Sequence, residues 1–306
     1  MVQTQVLPYG PEAIAAAARL IREGLPVAIP TETVYGLAAD ATDGAAVARI
    51  YAAKGRPAFN PLIVHVRDLD QAMALAEVDA AARSLAELYW PGPLTLVLPV
   101  RDGSPVASLV TAGLPTIAIR APSHPAMRDL LAATGKPLAA PSANASGRIS
   151  ATRAEHVLAS LGGRIELIVD DGPTAHGLES TIVAVGRDGL RLLRPGPIDL
   201  GLSSVGAGAG PIEAPGQLAS HYAPAKPVRL DVTAAATDEW LIGFGEVLGD
   251  ATLSGSGDLV EAAAALFDRL HEAERGDCPR IAVAPIPDSG IGAAINDRLR
   301  RAAAPR

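Results

Sequence analysis

The chain has 306 residues, a formal net charge of −7, 49% hydrophobic, 19% charged and 3% aromatic residues. An acidic total excludes the broad basic face of a nucleic-acid or membrane binder, though it allows a local basic pocket. The single Cys278 excludes an internal disulfide or a multi-cysteine zinc site and implies a reducing, cytoplasmic setting. The length predicts about two domains. MVQTQVLPYG lacks the cationic and apolar regions of a secretory signal. No apolar run is long enough to span a membrane.

In chain order, PEAIAAAARLIREG predicts a helix with Pro11 in its first turn and Gly24 as its stop. PVAIP reads as a buried strand, GAAVARIYAAKG as a helix ended by glycine, and LIVHV as a strand. Leu69 to Tyr89 has the three-and-four spacing of one or two helices. PLTLVLPV and TIAIRAP are strands, HPAMRDLLAATG a helix, and PLAAPSA a strand running into a loop. In TRAEHVLASLGG, Thr152 and Glu155 have capping-box spacing. IELIVDDG, STIVAVG and LRLLRPG are strands, the last two joined by Arg187-Asp188-Gly189, a hairpin signal. These elements predict an α/β fold with a mixed, twisted sheet and flanking helices over residues 1–200.

Residues 201–227, GLSSVGAGAGPIEAPGQLASHYAPAKP, have the composition of an extended linker ending in the polar cluster Ser220-His221-Tyr222. Residues 228–306 alternate PVRLDV, EWLIGFG, a helix near Asp258 to Glu274, RIAVAPIP and a helix near Ala293 to Ala303, a small βαβ-type, Rossmann-like domain. No Walker loop, H-E-x-x-H or G-x-S-x-G occurs. GAGAG at 206–210 lacks a preceding strand and reads as a spacer; GFGEVLG at 243–249 has its third glycine one residue late and reads as a strand-to-helix turn.

The stretch PTETVYGLAADATDGAAVARIYAAKGRP opens where a buried strand ends and closes on Lys54-Gly55-Arg56-Pro57. A loop at the carboxyl end of an α/β strand is where such sheets hold ligands, and the basic pair favours an anion. Lys54 and Arg56 could instead be solvated cations at a helix C-terminus, but Asn60, Pro61 and a strand follow at once and hold them near the sheet. PSANASGRIS places Ser142, Asn144, Ser146, Gly147 and Ser150 in one loop, which fits either a phosphate cradle or a plain Ser/Asn turn. His65 reads first as a core histidine. Arg120, Ser180 with Thr181, and Arg194 each have a bland reading as well, yet all lie at strand ends that could share a cavity for a polyanion and a small polar molecule.

PTETVYGLAADA, KGRP-x-x-NPL, WPGPLTLVL, TIAIRAPSHP, APSANASGRIS-x-T, ESTIV and LRPG, in this order, resemble the YrdC-type domain of threonylcarbamoyl-adenylate synthases. PGQLASHYAP, SGDLVEAAAALFDRLHEAE and IPDSGIGAAINDRLRRAA extend the resemblance to the long, two-domain form. Ala214 and Gln217 stand where that family usually has the serine and methionine of SPGM, and Ala140 where Ser or Thr is common. The resemblance implies condensation of L-threonine, bicarbonate or CO2, and ATP, with Mg²⁺ carried on the triphosphate, for the N6-threonylcarbamoyl modification of tRNA adenosine 37. It implies that Thr33, His65, Arg120, the Ala140 backbone and Ser180 bind threonine. Arg56, Asn60, Thr116, Ser142, Ser150, Arg194 and Tyr222 would bind ATP. Lys54 and Arg56 would be the catalytic pair, with Lys54 and Asn144 at bicarbonate and phosphate and no protein-held metal. The downstream partner would be a tRNA threonylcarbamoyl transferase, with direct tRNA contact weak at most. A noncatalytic RNA-binding module and a carbamoyl-transfer domain of the hydrogenase-maturation type are the alternatives on this fold. Either substrate-assisted proton loss or His65 could serve as the base.

Overall fold

A computed structural model describes residues 2–186, 189–202 and 212–305. The first part runs β1 (Gln5–Pro8), α1 (Pro11–Arg22), β2 (Val27–Ile29), β3 (Gly36–Asp40), α2 (Gly44–Lys54), β4 (Ile63–His65), α3 (Leu69–Met73) and α4 (Ala80–Tyr89). It continues with β5 (Leu94–Pro99), α5 (Ser108–Thr111), β6 (Thr116–Arg120), α6 (Pro125–Thr134), β7 (Leu138–Ala139), α7 (Ala154–Leu161), β8 (Leu167–Asp170), β9 (Thr181–Gly186) and β10 (Gly189–Arg194). The second part comprises β11 (Val228–Arg229), β12 (Glu239–Gly243), β13 (Ala251–Thr252), α8 (Leu259–Arg275), β14 (Arg280–Val283) and α9 (Ile291–Ala303).

The first ten strands form one sheet in the order β1-β8-β2-β3-β7-β4-β6-β5-β9-β10. It is mixed, as expected: β4 pairs parallel with β6 and β5 with β9, whereas β2–β3, β3–β7, β4–β7 and β5–β6 are antiparallel. Central strands such as β5 are buried on both faces, which is why they read as unbroken apolar runs rather than alternating ones. Successive side chains point to opposite faces. Leu37, Val64, Ile119 and Val183 join the large core that includes Ile50, Ala86 and Val157 from α2, α4 and α7. Ala38, Leu138 and Ala140 face the other way, against α1 and α6. On that second face Ile63, Ala118, Ile182 and Leu193 pack with Ala214, from the segment between the two parts.

Two local readings are corrected. GLAAD, taken as part of a loop, is β3, so Thr31–Thr33 sit in the connection of an antiparallel pair rather than in a strand-to-helix loop. The Thr152 capping box does not form: α7 starts at Ala154 with Arg153 at its cap, and the Thr152 hydroxyl lies 3.4 Å from His156 Nδ1. β9 and β10 pair antiparallel as the Asp-Gly signal implies, although 187 and 188 themselves lie outside the described residues, as do 203–211 with the GAGAG stretch. By contrast α2 follows the expected pattern, with the Asp43 carboxylate accepting from the Ala45 and Ala46 N–H groups and Gly55 left-handed at its end.

The second sheet is all parallel, β11-β14-β12-β13, with α8 and α9 against it. Leu266, Phe267, Ile295 and Leu299 build its core with Ile242, Ile281 and Val283, and Val34, Ile149, Leu178 and Tyr222 extend that core into the first part. The joint is close. Gly177, at φ +65°, lies so near α8 that a Cβ there would come 2.4 Å from Ala264 O. Arg153 pairs with Asp268 at 2.9 Å, and the His156 and His271 rings stack at 3.8 Å.

Candidate functional site

A cavity opens on the sheet face shared with α1 and α6, over β7, β4, β6 and the start of β9, where neither helix covers the strands. Ile63, His65, Arg120, Ala140, Pro141 and Ser142 line its floor, with Thr31, Thr33, Val34 and Gly36 along one side. Arg56, Glu179, Ser180 and Arg194 line the other side, and Pro215, Gly216, His221 and Tyr222 form the roof. The expected convergence of strand-end groups is therefore met at most positions, but on a face of the sheet rather than beyond strand ends. A register that puts His65 opposite Arg120 and Ala140 beside Ile63 creates it.

At the end assigned to threonine, Arg120 Nη1 donates to Thr33 Oγ1 at 2.8 Å, its Nε donates to Gly92 O at 3.2 Å, and its Nη2 pairs with Glu32 Oε1 at 2.6 Å. Burial pushes the Glu32 carboxyl up, but Arg120 overcomes this and holds it at about 2. Thr31 gives its proton to Val34 O at 2.6 Å and accepts from the Thr33 and Val34 N–H groups, each at 3.2 Å; Thr33 Oγ1, 2.9 Å away, is left with a hydroxyl that can face a ligand. Ser180 Oγ accepts from Arg194 Nη2 at 3.1 Å and shares a 2.7 Å bond with Thr95. His65 is buried with Nδ1 unbonded among the described residues; desolvation, then Arg120, lowers its pKa to about 3. A base that weak is mismatched to proton abstraction near neutrality, so the geometry favours a neutral hydrogen-bonding role for His65.

At the cationic end Arg56 donates to Asn60 O at 3.1 Å and Pro61 O at 2.8 Å. Its burial lowers its pKa to about 10, which still leaves it charged at neutrality. Arg194 donates through Nε to Ser180 O at 3.1 Å. Lys54 is buried beside the sheet rather than solvated, and it donates to Ser142 O at 2.5 Å and to Asn144 O. It thus clips the PSAN loop shut, and burial, then Arg56, pushes its pKa well below the usual lysine value. Asn144 staples the same loop by donating to Ala145 O and Arg148 O, each at 2.9 Å. Neither Lys54, Asn60, Thr116, Asn144 nor Ser150 lines the cavity. Asn60 is nonetheless buried with neither amide atom hydrogen-bonded among the described residues. Ser150 donates to Glu179 Oε1, one step behind the lining. Thr116 opposes Pro99 at the far end of β6, about 13 Å from Arg120 at strand rise.

The roof is the described part of the segment read as a linker, and it is packed rather than extended. Gln217 Oε1 accepts from the Glu213 and Ala214 N–H groups at 2.8 and 3.0 Å, and Ala214 is fully buried in the apolar face below. These contacts account for both departures from SPGM. Gly216 is required at φ +86°, since a Cβ would meet the Tyr222 hydroxyl at 2.7 Å and Arg194 Cδ at 3.0 Å. Tyr222 is itself left-handed at φ +60° and buried, the kind of strained position that collects at functional sites. His221, not singled out alone from the sequence, also lines the cavity with Nδ1 unbonded among the described residues. Desolvation, then Arg56, Lys54, Arg194 and Arg298, holds it neutral. Pro215, Gly216, His221 and Tyr222 thus cover part of the cavity.

Two family profiles match the chain: Sua5/YciO/YrdC, described as "Telomere recombination", over residues 19–196, and "Threonylcarbamoyl-AMP synthase, C-terminal domain" over residues 192–304. The threonylcarbamoyl-AMP synthase of Bacillus subtilis (strain 168) is 41% identical, covering 96% of this chain and 93% of the relative. That of Pyrococcus abyssi (strain GE5 / Orsay) is 40% identical, covering 94% and 93%. The crystal structure of P. abyssi Sua5 complexed with L-threonine superimposes with a TM-score of 0.90 at 37% identity, over 98% of both chains. E. coli YciO shares the fold of the first part, with a TM-score of 0.58 at 24% identity over 65% of this chain.

Proposed function

The chain belongs to the Sua5/YciO/YrdC family in its two-domain, threonylcarbamoyl-AMP synthase form, and from that premise we propose how its cavity serves the reaction. It condenses L-threonine, bicarbonate or CO2, and ATP to L-threonylcarbamoyl adenylate and pyrophosphate. The observation that carries this reading is one cavity lined by Thr33, His65, Arg120 and Ser180 together with Arg56, Ser142, Arg194 and Tyr222. Arg120 holds the α-carboxylate of threonine; Thr33 accepts from its ammonium or hydroxyl, and His65, Ser180 and the Ala140 backbone complete the pocket. The threonine ammonium first gives up a proton; the freed nitrogen lone pair attacks the carbon of CO2, and a second N–H proton leaves as the carbamate forms. A carbamate oxygen then bonds to the α-phosphorus as the bond to pyrophosphate breaks. With His65 and His221 held neutral by depressed pKa values, the two protons leave to bicarbonate, which dehydrates to CO2 and water, and to phosphate oxygen.

Arg56, Arg194, Ser142, Asn60, Ser150 and Tyr222 serve the nucleotide, with Thr116 at the outer end. Lys54 holds the PSAN loop, with Asn144, where bicarbonate and phosphate oxygens come to rest. Fixed cations around a dry site are the main aid to such a phosphoryl-type transfer. The lining has no uncommitted carboxylate among the described residues: Glu179 is taken by Ser150 and Arg298. The described lining therefore offers no free carboxylate to a Mg²⁺ ion, and on this reading ATP brings its own. The product, a reactive mixed anhydride, is consumed by a tRNA threonylcarbamoyl transferase in the cytoplasm, and this chain makes at most weak contact with tRNA. No helix among the described residues is long and apolar enough to cross a membrane. The deciding experiment is pyrophosphate release from ATP, expected only when threonine and bicarbonate are both present; release without threonine would refute the reading.

Two further outcomes are expected. A site that hydrogen-bonds a substrate hydroxyl rejects analogues lacking it more strongly than those lacking a methyl. Serine should therefore replace threonine better than valine or 2-aminobutyrate does, and equal use of valine would show that the hydroxyl goes unread. Residues 212–223 should also act as a lid. Protease cleavage near 212–223 should slow when threonine and ATP are added, and Tyr222→Ala should weaken ATP and release more AMP and free threonine per product. Cleavage rates indifferent to substrates would reduce the segment to a spacer.

A further inference from the structure

Arg298, on α9, is among the largest fully buried side chains of the described residues, with 0% exposure. An arginine out of water must have its charge and donors satisfied, and these partners all lie at the rim of the cavity or beside it. Its Nε donates to Glu179 Oε2 at 2.9 Å, and its Nη2 lies 3.4 Å from Glu179 O. Its Nη1 donates to Pro195 O, directly after Arg194, and to Asp297 Oδ2, each at 2.9 Å. The guanidinium carbon sits 5.3 Å from the centre of the Tyr222 ring, a cation–π distance. The other carboxylate oxygen of Glu179 accepts from Ser150 Oγ.

We propose that Arg298 is a positioning residue for the nucleotide end of the cavity: it fixes Glu179, and through it Ser150, and supports Tyr222 from below. The inference rests on reading Ser150, Arg194 and Tyr222 as nucleotide-facing. It gives the second domain a defined task, because without α9 the Glu179 carboxylate would be buried with no counter-ion on this side and Tyr222 would lose its underlying cation. At the threonine end the carboxylate clamp is held by other partners, Glu32 on Arg120 and Arg120 on Thr33, and only Ser180, bonded to Arg194, joins it to this network. Loss of Arg298 should therefore fall on ATP and spare threonine.

The test is steady-state pyrophosphate release by the full-length chain, varying ATP and threonine separately. Arg298→Met should raise KM for ATP ~10-fold while KM for threonine moves less than ~2-fold, a split that a general loss of folded enzyme would not produce. Arg298→Lys keeps the charge but not the planar fork, so its KM for ATP should rise about 3-fold. Because Ser150 lies downstream of Arg298, the Ser150→Ala/Arg298→Met double variant should be no worse for ATP than the poorer single variant. Equal KM changes for both substrates, an unchanged KM for ATP, or fully additive losses would overturn the proposal. If Arg298→Met does not fold, an unchanged KM for ATP in Arg298→Lys overturns it alone. A wild-type chain whose pyrophosphate release ignores threonine would overturn the functional reading and this inference together. A threonine-dependent wild type with unaffected variants would overturn only the inference.

Discussion

Arg56→Ala is expected to slow threonylcarbamoyl-adenylate formation by ~10²-fold or more, the usual consequence of removing one fixed stabiliser of transition-state charge. The guanidinium lines the cavity beside Arg194 and His221, with Nη1 not committed to a backbone carbonyl as Nε and Nη2 are. Its burial also gives the truncation a structural cost. Alanine leaves the Pro61 carbonyl without its side-chain donor, at about 1–3 kcal/mol, while Asn60 O keeps the Tyr51 hydroxyl at 2.9 Å. Activity must therefore be measured on protein shown to be folded by its thermal transition. Arg56→Lys, which retains charge but loses the fork, should recover part of the rate. A folded Arg56→Ala enzyme turning over near the wild-type rate would remove Arg56 from the chemistry.

The Glu32–Arg120 pair should produce the largest effect on stability. Breaking a buried pair from one side leaves an uncompensated charge, at about 3–5 kcal/mol, so Glu32→Gln should lower unfolding free energy by roughly that much at pH 7. Its pH dependence has a definite sign. A folded-state pKa of about 2 against an ordinary 4.5 means that the ionised carboxylate stabilises the fold above pH 4.5. That contribution, about 3 kcal/mol by linkage, disappears as pH falls from 4.5 toward 2. Urea unfolding of wild type and Glu32→Gln should therefore show a wide gap at pH 7 that narrows at pH 3. A gap of the same size at both pH values would mean that Glu32 is not held ionised by Arg120.

Most elements were legible because their signals are local: Pro11 and Gly24 bound α1, Asp43 and Gly55 bound α2, and unbroken apolar runs mark β5 and β6. β3 was not, since Gly-Leu-Ala-Ala-Asp has neither alternation nor β-branched residues; its stability comes from β2 and β7 on either side. The candidate site followed a similar division. Motif resemblance named Thr33, His65, Arg120, Ser180, Arg56 and Arg194, which the fold brings together. It assigned no role to Glu32, Glu179, His221 or Arg298, because a side chain that acts through a long-range partner leaves no local trace. Arg298 lies in RLRRAA and looks like any exposed arginine on a helix; only the docking of α9 onto Glu179 shows otherwise. The position of the cavity was hidden for the same reason, since the sheet face it occupies depends on strand order rather than on strand ends.

The absence of a side chain at Gly177 lets the two domains close directly on one another. Helix α8 rests on bare backbone there, and Arg153–Asp268, the paired imidazoles and Arg298–Glu179 join the same two bodies. A hinge between them would have to break all of these contacts at once, so the two sheets behave as a single rigid frame. Residues 212–223 are bound to that frame by Arg191 on Glu213, Arg194 at Pro215 O, Arg301 at Leu218 O and the Ala223 N–H at Gly147 O, with Ala214 and Tyr222 buried. Opening the roof would therefore have to break these contacts together, and a substrate that closes it gains all of them back.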